Sequence, residues 1–191
     1  MKIGKFIVMS GPSGVGKGTI CNTLMQELDA WYSVSMTTRE IREGEVDGVN
    51  YYFISKEEFK KRIDEGKLLE YNIYNDNYYG TPKDKVLKKL EEGKNVFLEI
   101  DVNGARNIKK LFPNAILIYV APPSIEELRN RLISRGTEEM DVIEKRLKIA
   151  EEELKQIDFY DYVVVNDDLD KAISKVREII LDKINKKYKL S

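Results

Sequence analysis

Short apolar runs recur along the chain at Phe6–Met9, Val96–Ile100, Ala115–Val120 and Tyr162–Val165, each followed by apolar positions at helical spacing. Runs of this kind, bounded by polar or turn residues, read as strands buried on both faces, and their alternation with helices predicts a parallel sheet flanked on either side. The first helical face carries Ile20, Leu24 and Leu28 with Cys21 and Met25. Two later stripes are Ile143, Leu147, Ala150, Leu154 and Ile157, then Ala172, Val176, Ile180 and Ile184. A capping box, Ser124-Ile125-Glu126-Glu127, starts another helix before Leu128 and Leu132. The expected fold class is α/β.

Two segments interrupt this rhythm. Residues 36–86 hold three arginines, many tyrosines and one short helical pattern around Phe59 and Ile63, and read as an inserted lobe. Four arginines between Arg129 and Arg146 surround a Gly136-Thr137 break and suggest a flap. The charges between the helical stripes, Glu151-Glu152-Glu153 among them, read as solvated faces.

Composition narrows the possibilities. A chain of 191 residues, 42% hydrophobic, suits one domain with mobile parts. With 32 basic and 33 acidic residues there is no general basic field to attract nucleic acid, so any anion must be bound locally. The single cysteine, Cys21, is expected to pack in the core and argues for a reducing compartment. Histidine is absent, which removes the commonest general base and zinc ligand. The N-terminal apolar run is too short for a signal peptide and nothing approaches a membrane span, so the expected location is the cytoplasm. Monomer and homo-oligomer both stay open.

The stretch SGPSGVGKGT, Ser10 to Thr19, joins the first strand to the first helix and places Gly11, Gly14, Gly16 and Gly18 around Lys17. Glycine clusters where the backbone must approach something closely or take positive φ. Gly11-x-x-x-x-Gly16-Lys17 matches the phosphate-binding P-loop, in which backbone N–H groups and the helix N-terminus surround polyphosphate while the lysine reaches its terminal oxygens. ATP would then touch Gly11, Pro12, Ser13, Gly14, Val15, Gly16, Lys17, Gly18 and Thr19. The usual hydroxyl after the lysine is replaced by Gly18, so Mg²⁺ is expected to be held mainly by nucleotide oxygens and water, without a dedicated protein site.

More specific blocks follow in order: Ser35-Met36-Thr37-Thr38-Arg39-Glu40-Ile41-Arg42-Glu43-Gly44-Glu45, Gly48-Val49-Asn50-Tyr51-Tyr52-Phe53, Leu69-Glu70-Tyr71, Asn77-Tyr78-Tyr79-Gly80-Thr81, Glu99-Ile100-Asp101-Val102-Asn103-Gly104, Arg135-Gly136-Thr137-Glu138 and Val165-Asn166-Asp167-Asp168-Leu169. Over nearly its whole length the chain resembles the guanylate kinases, P-loop enzymes that phosphorylate GMP from ATP in purine nucleotide metabolism. The resemblance implies a core of residues 1–35, 87–124 and 151–191, a GMP-binding lobe at 36–86 and a helical lid at 125–150.

It also implies site residues. Arg39, Arg42, Tyr51 and Tyr79 would hold the GMP phosphate, and Glu70, Ser35 and Thr81 the guanine. Asp101 would hold Mg²⁺ waters or GMP groups, Arg135 and Arg146 would close from the lid, and Asn166 and Asp167 would border the adenine. Lys17, Arg39, Asp101, Arg135 and Arg146 form the expected catalytic set. Physical chemistry agrees: guanidinium forks match phosphate oxygens, and one carboxylate accepts both N1–H and the 2-amino group of guanine. Replacing Glu70 with Gln is expected to change stability little if the residue faces an open cleft in the absence of ligand. Glu99 stands where relatives usually carry aspartate, and Arg129 and Arg131 leave a solvated helix face and a lid role equally open. An interaction module without activity is opposed by the intact Gly16-Lys17, and a kinase of another substrate by Glu70 and Thr81.

Overall fold

The computed structural model describes residues 3–74, 76–134, 136 and 139–185. The chain begins with β1 (Phe6–Ser10), α1 (Lys17–Glu27), β2 (Ala30–Tyr32), β3 (Met36–Thr37), β4 (Tyr52–Phe53) and α2 (Lys56–Asp64). It continues with β5 (Leu68–Tyr74), β6 (Asn77–Pro82), α3 (Lys83–Glu91), β7 (Asn95–Glu99), α4 (Val102–Leu111) and β8 (Ile116–Ala121). It closes with α5 (Ile125–Ser134), α6 (Met140–Leu154), a 3-10 turn at Ile157–Phe159, β9 (Tyr162–Val165) and α7 (Leu169–Asn185).

The four apolar runs become four strands of a five-stranded sheet in the order β2-β7-β1-β8-β9, with parallel pairing throughout. Parallel strands need crossover helices, so both faces of the sheet are covered and alternate residues enter different cores. Ile7 and Met9 of β1 pack with Ile20 and Leu24 of α1 and Val176 and Ile180 of α7. Phe6 and Val8 point the other way, against Val86 and Leu90 of α3 and Ala105 and Ile108 of α4. Each such side chain contributes about 1.5–3 kcal/mol through burial. Cys21 is 1% exposed within the first core, its expected packing role, and burial pushes its thiol pKa up.

The interrupting segments have their own packing. The lobe carries a sheet of order β4-β3-β6-β5, with Phe59 of α2 buried beside the Tyr71 and Tyr78 rings. Its last strand runs straight into α3, so the chain is back on the core by Lys83. Leu128 and Leu132 of α5 meet Ile143, Leu147 and Ala150 of α6 in a separate cluster. Ser124 caps α5 by accepting from the Glu127 amide at 3.0 Å, which is one half of the expected capping box. The Glu127 carboxylate does not reach back; it accepts from Arg131 Nε at 2.9 Å instead.

Candidate active site

All of β1 is buried, so the chain emerges at Gly11 already against the neighbouring strand, where a Cβ would lie 2.3 Å from the Val120 carbonyl oxygen. At Gly16, φ is 98°, and a side chain would also meet the Asn166 amide nitrogen at 2.6 Å. Only glycine turns the loop into α1 here. Lys17 Nζ lies inside the loop, donating to the carbonyls of Gly11 at 2.6 Å and Pro12 at 3.1 Å. Asn166, 4% exposed, donates from Nδ2 to the Val15 carbonyl at 2.7 Å and so braces the loop from behind, with Asp167 exposed next to it. A Cβ at Gly18 would find nothing within 4 Å, and Thr19 is exposed too.

From α6, Arg146 Nη1 donates to Ser13 Oγ at 2.6 Å, tying this helix to the glycine loop. Arg135 lies outside the described residues. Arg131 was not singled out by motif, yet its Nη1 donates to the Asn166 carbonyl at 2.9 Å, so one arginine spans from α5 to the end of β9 behind the loop. Arg129 pairs with Glu144 across α5 and α6. Neither arginine is simply solvated. Glu153 of α6 departs further from its expected solvated setting: its Oε2 is shielded, and burial, with Asp101 adding and Lys17 opposing, brings its carboxyl up to about 7.

Arg39 follows β3. Its Nη2 donates to Glu45 Oε1 at 2.7 Å and its Nη1 to the Glu40 carbonyl at 2.6 Å, while Cζ sits 5.6 Å from the Tyr51 ring centroid. The Tyr51 and Tyr79 rings meet edge-on at 5.9 Å, which brings these three expected phosphate ligands together. Burial pushes the Tyr51 hydroxyl up to about 12, so it stays a donor at neutral pH. Arg42 is exposed, and its amide donates to Glu45 Oε2 at 2.8 Å. Glu45 thus braces both arginine positions, and the Arg39 hydrogen bond holds its carboxyl below the usual range.

Glu70 and Thr81 are direct partners across β5 and β6, just after a register shift between Leu68 and Glu70. Such a bulge re-aims a side chain. Thr81 Oγ1 donates to Glu70 Oε1 at 2.5 Å. Ser35 is half-buried beside β3, and its carbonyl accepts from the Tyr52 amide at 2.9 Å. Glu70 is only 7% exposed, so the open-cleft condition on which its substitution would cost little stability is not met: the helix α4 covers it. Asp101 is the N-cap of that helix, with Oδ1 accepting from the Gly104 amide at 2.8 Å and Oδ2 from Asn72 Nδ2 at 2.6 Å. Glu99 accepts from the Tyr32 hydroxyl at 3.3 Å and anchors β2 to β7. A cleft of about 660 Å³ opens between β5, the start of α4 and α6, lined by Asn72, Asp101, Arg146 and Glu153 among others.

Burial, together with the Asp101 charge and against the Thr81 hydrogen bonds, brings the Glu70 carboxyl up to about 7 from its ordinary 4.5. The folded chain therefore holds this proton more tightly than the unfolded chain between those values. The contribution to stability is complete below the ordinary value and is lost as pH rises toward 7. Glu70→Gln cannot ionise, so it is expected to gain stability relative to the unsubstituted chain by up to about 3 kcal/mol on going from about pH 4 to about pH 8. Urea unfolding at both values checks this; a difference independent of pH would assign the burial no ionisation penalty.

A lysine in a glycine loop at the end of a central parallel strand, an arginine of a neighbouring helix tied to that loop, and an arginine–tyrosine cluster on a separate four-stranded lobe together define a P-loop nucleoside monophosphate kinase. The family model of guanylate kinase matches residues 3–183. The chain belongs to the guanylate kinase family. It is 55% identical over 181 residues to the guanylate kinase of Caldanaerobacter subterraneus subsp. tengcongensis, covering 94% of this chain and 88% of that one. Identity to the Enterococcus faecalis guanylate kinase is 50% over 179 residues, 93% of this chain and 88% of the relative. The crystal structure of guanylate kinase from Anaplasma phagocytophilum superimposes with a TM-score of 0.81 at 32% identity, covering 97% of this chain and 89% of that chain. Among the described residues no helix is long and apolar enough to cross a membrane.

Proposed function

We propose that the cleft transfers the γ-phosphoryl group of ATP to the phosphate of GMP, giving ADP and GDP, through the residues assembled above. Lys17 and the loop amides hold the donor phosphates, Arg39 and Arg42 with Tyr51 and Tyr79 hold the acceptor phosphate, and Arg135 and Arg146 complete the charge as the lid, residues 125–150, closes. The lobe, residues 36–86, presents Glu70 and Thr81 to guanine, with Ser35 immediately before the lobe and Asp101 at the same edge. Asn166 and Asp167 border the adenine. Phosphoryl transfer asks mainly for alignment and charge neutralisation, so a chain without histidine lacks nothing the step requires.

The donor set suits a hydrated ion. Asp101 already accepts two hydrogen bonds from the protein, and Gly18 supplies no hydroxyl after the loop lysine. Mg²⁺, which keeps several waters, fits there mainly on nucleotide oxygens and would neutralise phosphate charge.

The observation that carries the substrate assignment is the Glu70 carboxylate, fixed by Thr81, shielded from water and close enough to Asp101, a lining residue of the cleft, to feel its charge. It accepts from the N1–H and 2-amino donors of guanine, which adenine lacks. An ADP-release assay with GMP, AMP, CMP and UMP is expected to select GMP. In Glu70→Gln the guanine-over-adenine ratio of kcat/KM is expected to fall by about 1–3 kcal/mol, since a buried donor then faces a donor. A ratio equal to that of the unsubstituted chain would remove Glu70 from the base site.

A further inference from the structure

Gly104 lies in the first turn of α4, where glycine is a poor helix former and alanine a good one. Its backbone is not in the left-handed region that would demand glycine, and its amide is satisfied by the Asp101 cap. Neither the turn nor the cap therefore explains the residue. Space does. A Cβ built on Gly104 would lie 2.6 Å from Glu70 Oε2 and 3.1 Å from Glu70 Cδ, with Ile100 Cδ1 next at 3.3 Å. The other carboxylate oxygen is held by Thr81, so Glu70 spans from the β6 hydroxyl to the bare Cα of α4.

We infer that Gly104 is a specificity-determining residue: its missing side chain is the seat of the Glu70 carboxylate, and any larger residue there displaces the carboxylate from the purine edge. The inference rests on the assignment of Glu70 to guanine. The contact to be relieved is with the end of a side chain, so the fold absorbs an added methyl by swinging Glu70 aside. The position of the carboxylate is what is lost.

The test compares Gly104→Ala, Glu70→Ala and the double variant, measuring kcat/KM for GMP and AMP and KM for ATP. Gly104→Ala is expected to lower kcat/KM for GMP about tenfold or more, a loss typical of misplacement by about an ångström, with AMP turnover and ATP KM within about twofold. In the Glu70→Ala background the same methyl has no carboxylate to displace and is expected to change kcat/KM for GMP less than about twofold. An equal loss in both backgrounds would mean that the methyl acts through α4, and no loss in either would mean that the seat is not needed; each overturns the inference. Should Gly104→Ala fail to fold, the double variant is expected to recover, and its failure to do so overturns the inference as well. If Glu70→Ala alone keeps the GMP-to-AMP ratio, the guanine assignment itself falls, separately from the behaviour of Gly104.

Discussion

A Lys17→Ala chain is expected to fold as before and to lose nearly all turnover. The lysine is half-buried at the mouth of the loop and its partners are two loop carbonyls that water can serve equally well, so its removal leaves both sheet cores untouched. In phosphoryl transfer, by contrast, negative charge on the transferring group must be met by prepositioned cations, and losing one such contact raises the barrier by about 2.7–4 kcal/mol, or about 10²–10³ in kcat. Thermal unfolding beside an ADP-release assay separates the two effects. Retention of more than about a tenth of kcat, well above that range, would count against the loop as the donor site.

Arg39→Met is expected to strike the acceptor side alone. The guanidinium lies beside Tyr51 and Phe53 with Glu45 in ion pair, so methionine keeps the apolar contacts while deleting the charged fork. Each charge-assisted hydrogen bond to phosphate is worth about 1.5–3 kcal/mol, and loss of two predicts a fall in kcat/KM for GMP of at least about 10²-fold. Calorimetry should find GMP binding weakened and ATP binding unchanged. Equal weakening of both nucleotides would make Arg39 a shared or structural group.

What could be read from the sequence depended on how each element is buried. β1, β7, β8 and β9 pair in parallel with helices on their faces, and such strands leave continuous apolar runs. β2, Ala30–Tyr32, is a short half-buried edge and left no run, and the lobe strands were hidden because they are two residues long or mix polar residues and tyrosines that are only partly covered. The phosphate loop was legible because its glycines are a local geometric need. Glu70 was legible as a residue but not as a buried one, since the covering comes from α4, which follows it by many residues in the chain. Asp101 ahead of an apolar-periodic helix carried the signal of an N-cap, a role the motif reading passed over. Arg131 on α5 and Glu153 on α6 sit within helical charge patterns that look solvated until each helix is placed, the first against the end of β9 and the second with its Oε2 shielded.

A chain without histidine would ordinarily have a flat titration curve across the neutral range, because histidine is the side chain whose unperturbed pKa falls there. Here Glu70 and Glu153, both near 7, supply that missing buffering from within the fold, and both lie beside Asp101. Burial is the chief cause of both shifts, so a change in the covering of either carboxylate, or in the charge beside it, moves its proton. Nucleotide binding that alters either setting is expected to take up or release protons near neutral pH, through carboxylates that in solution would be fully ionised.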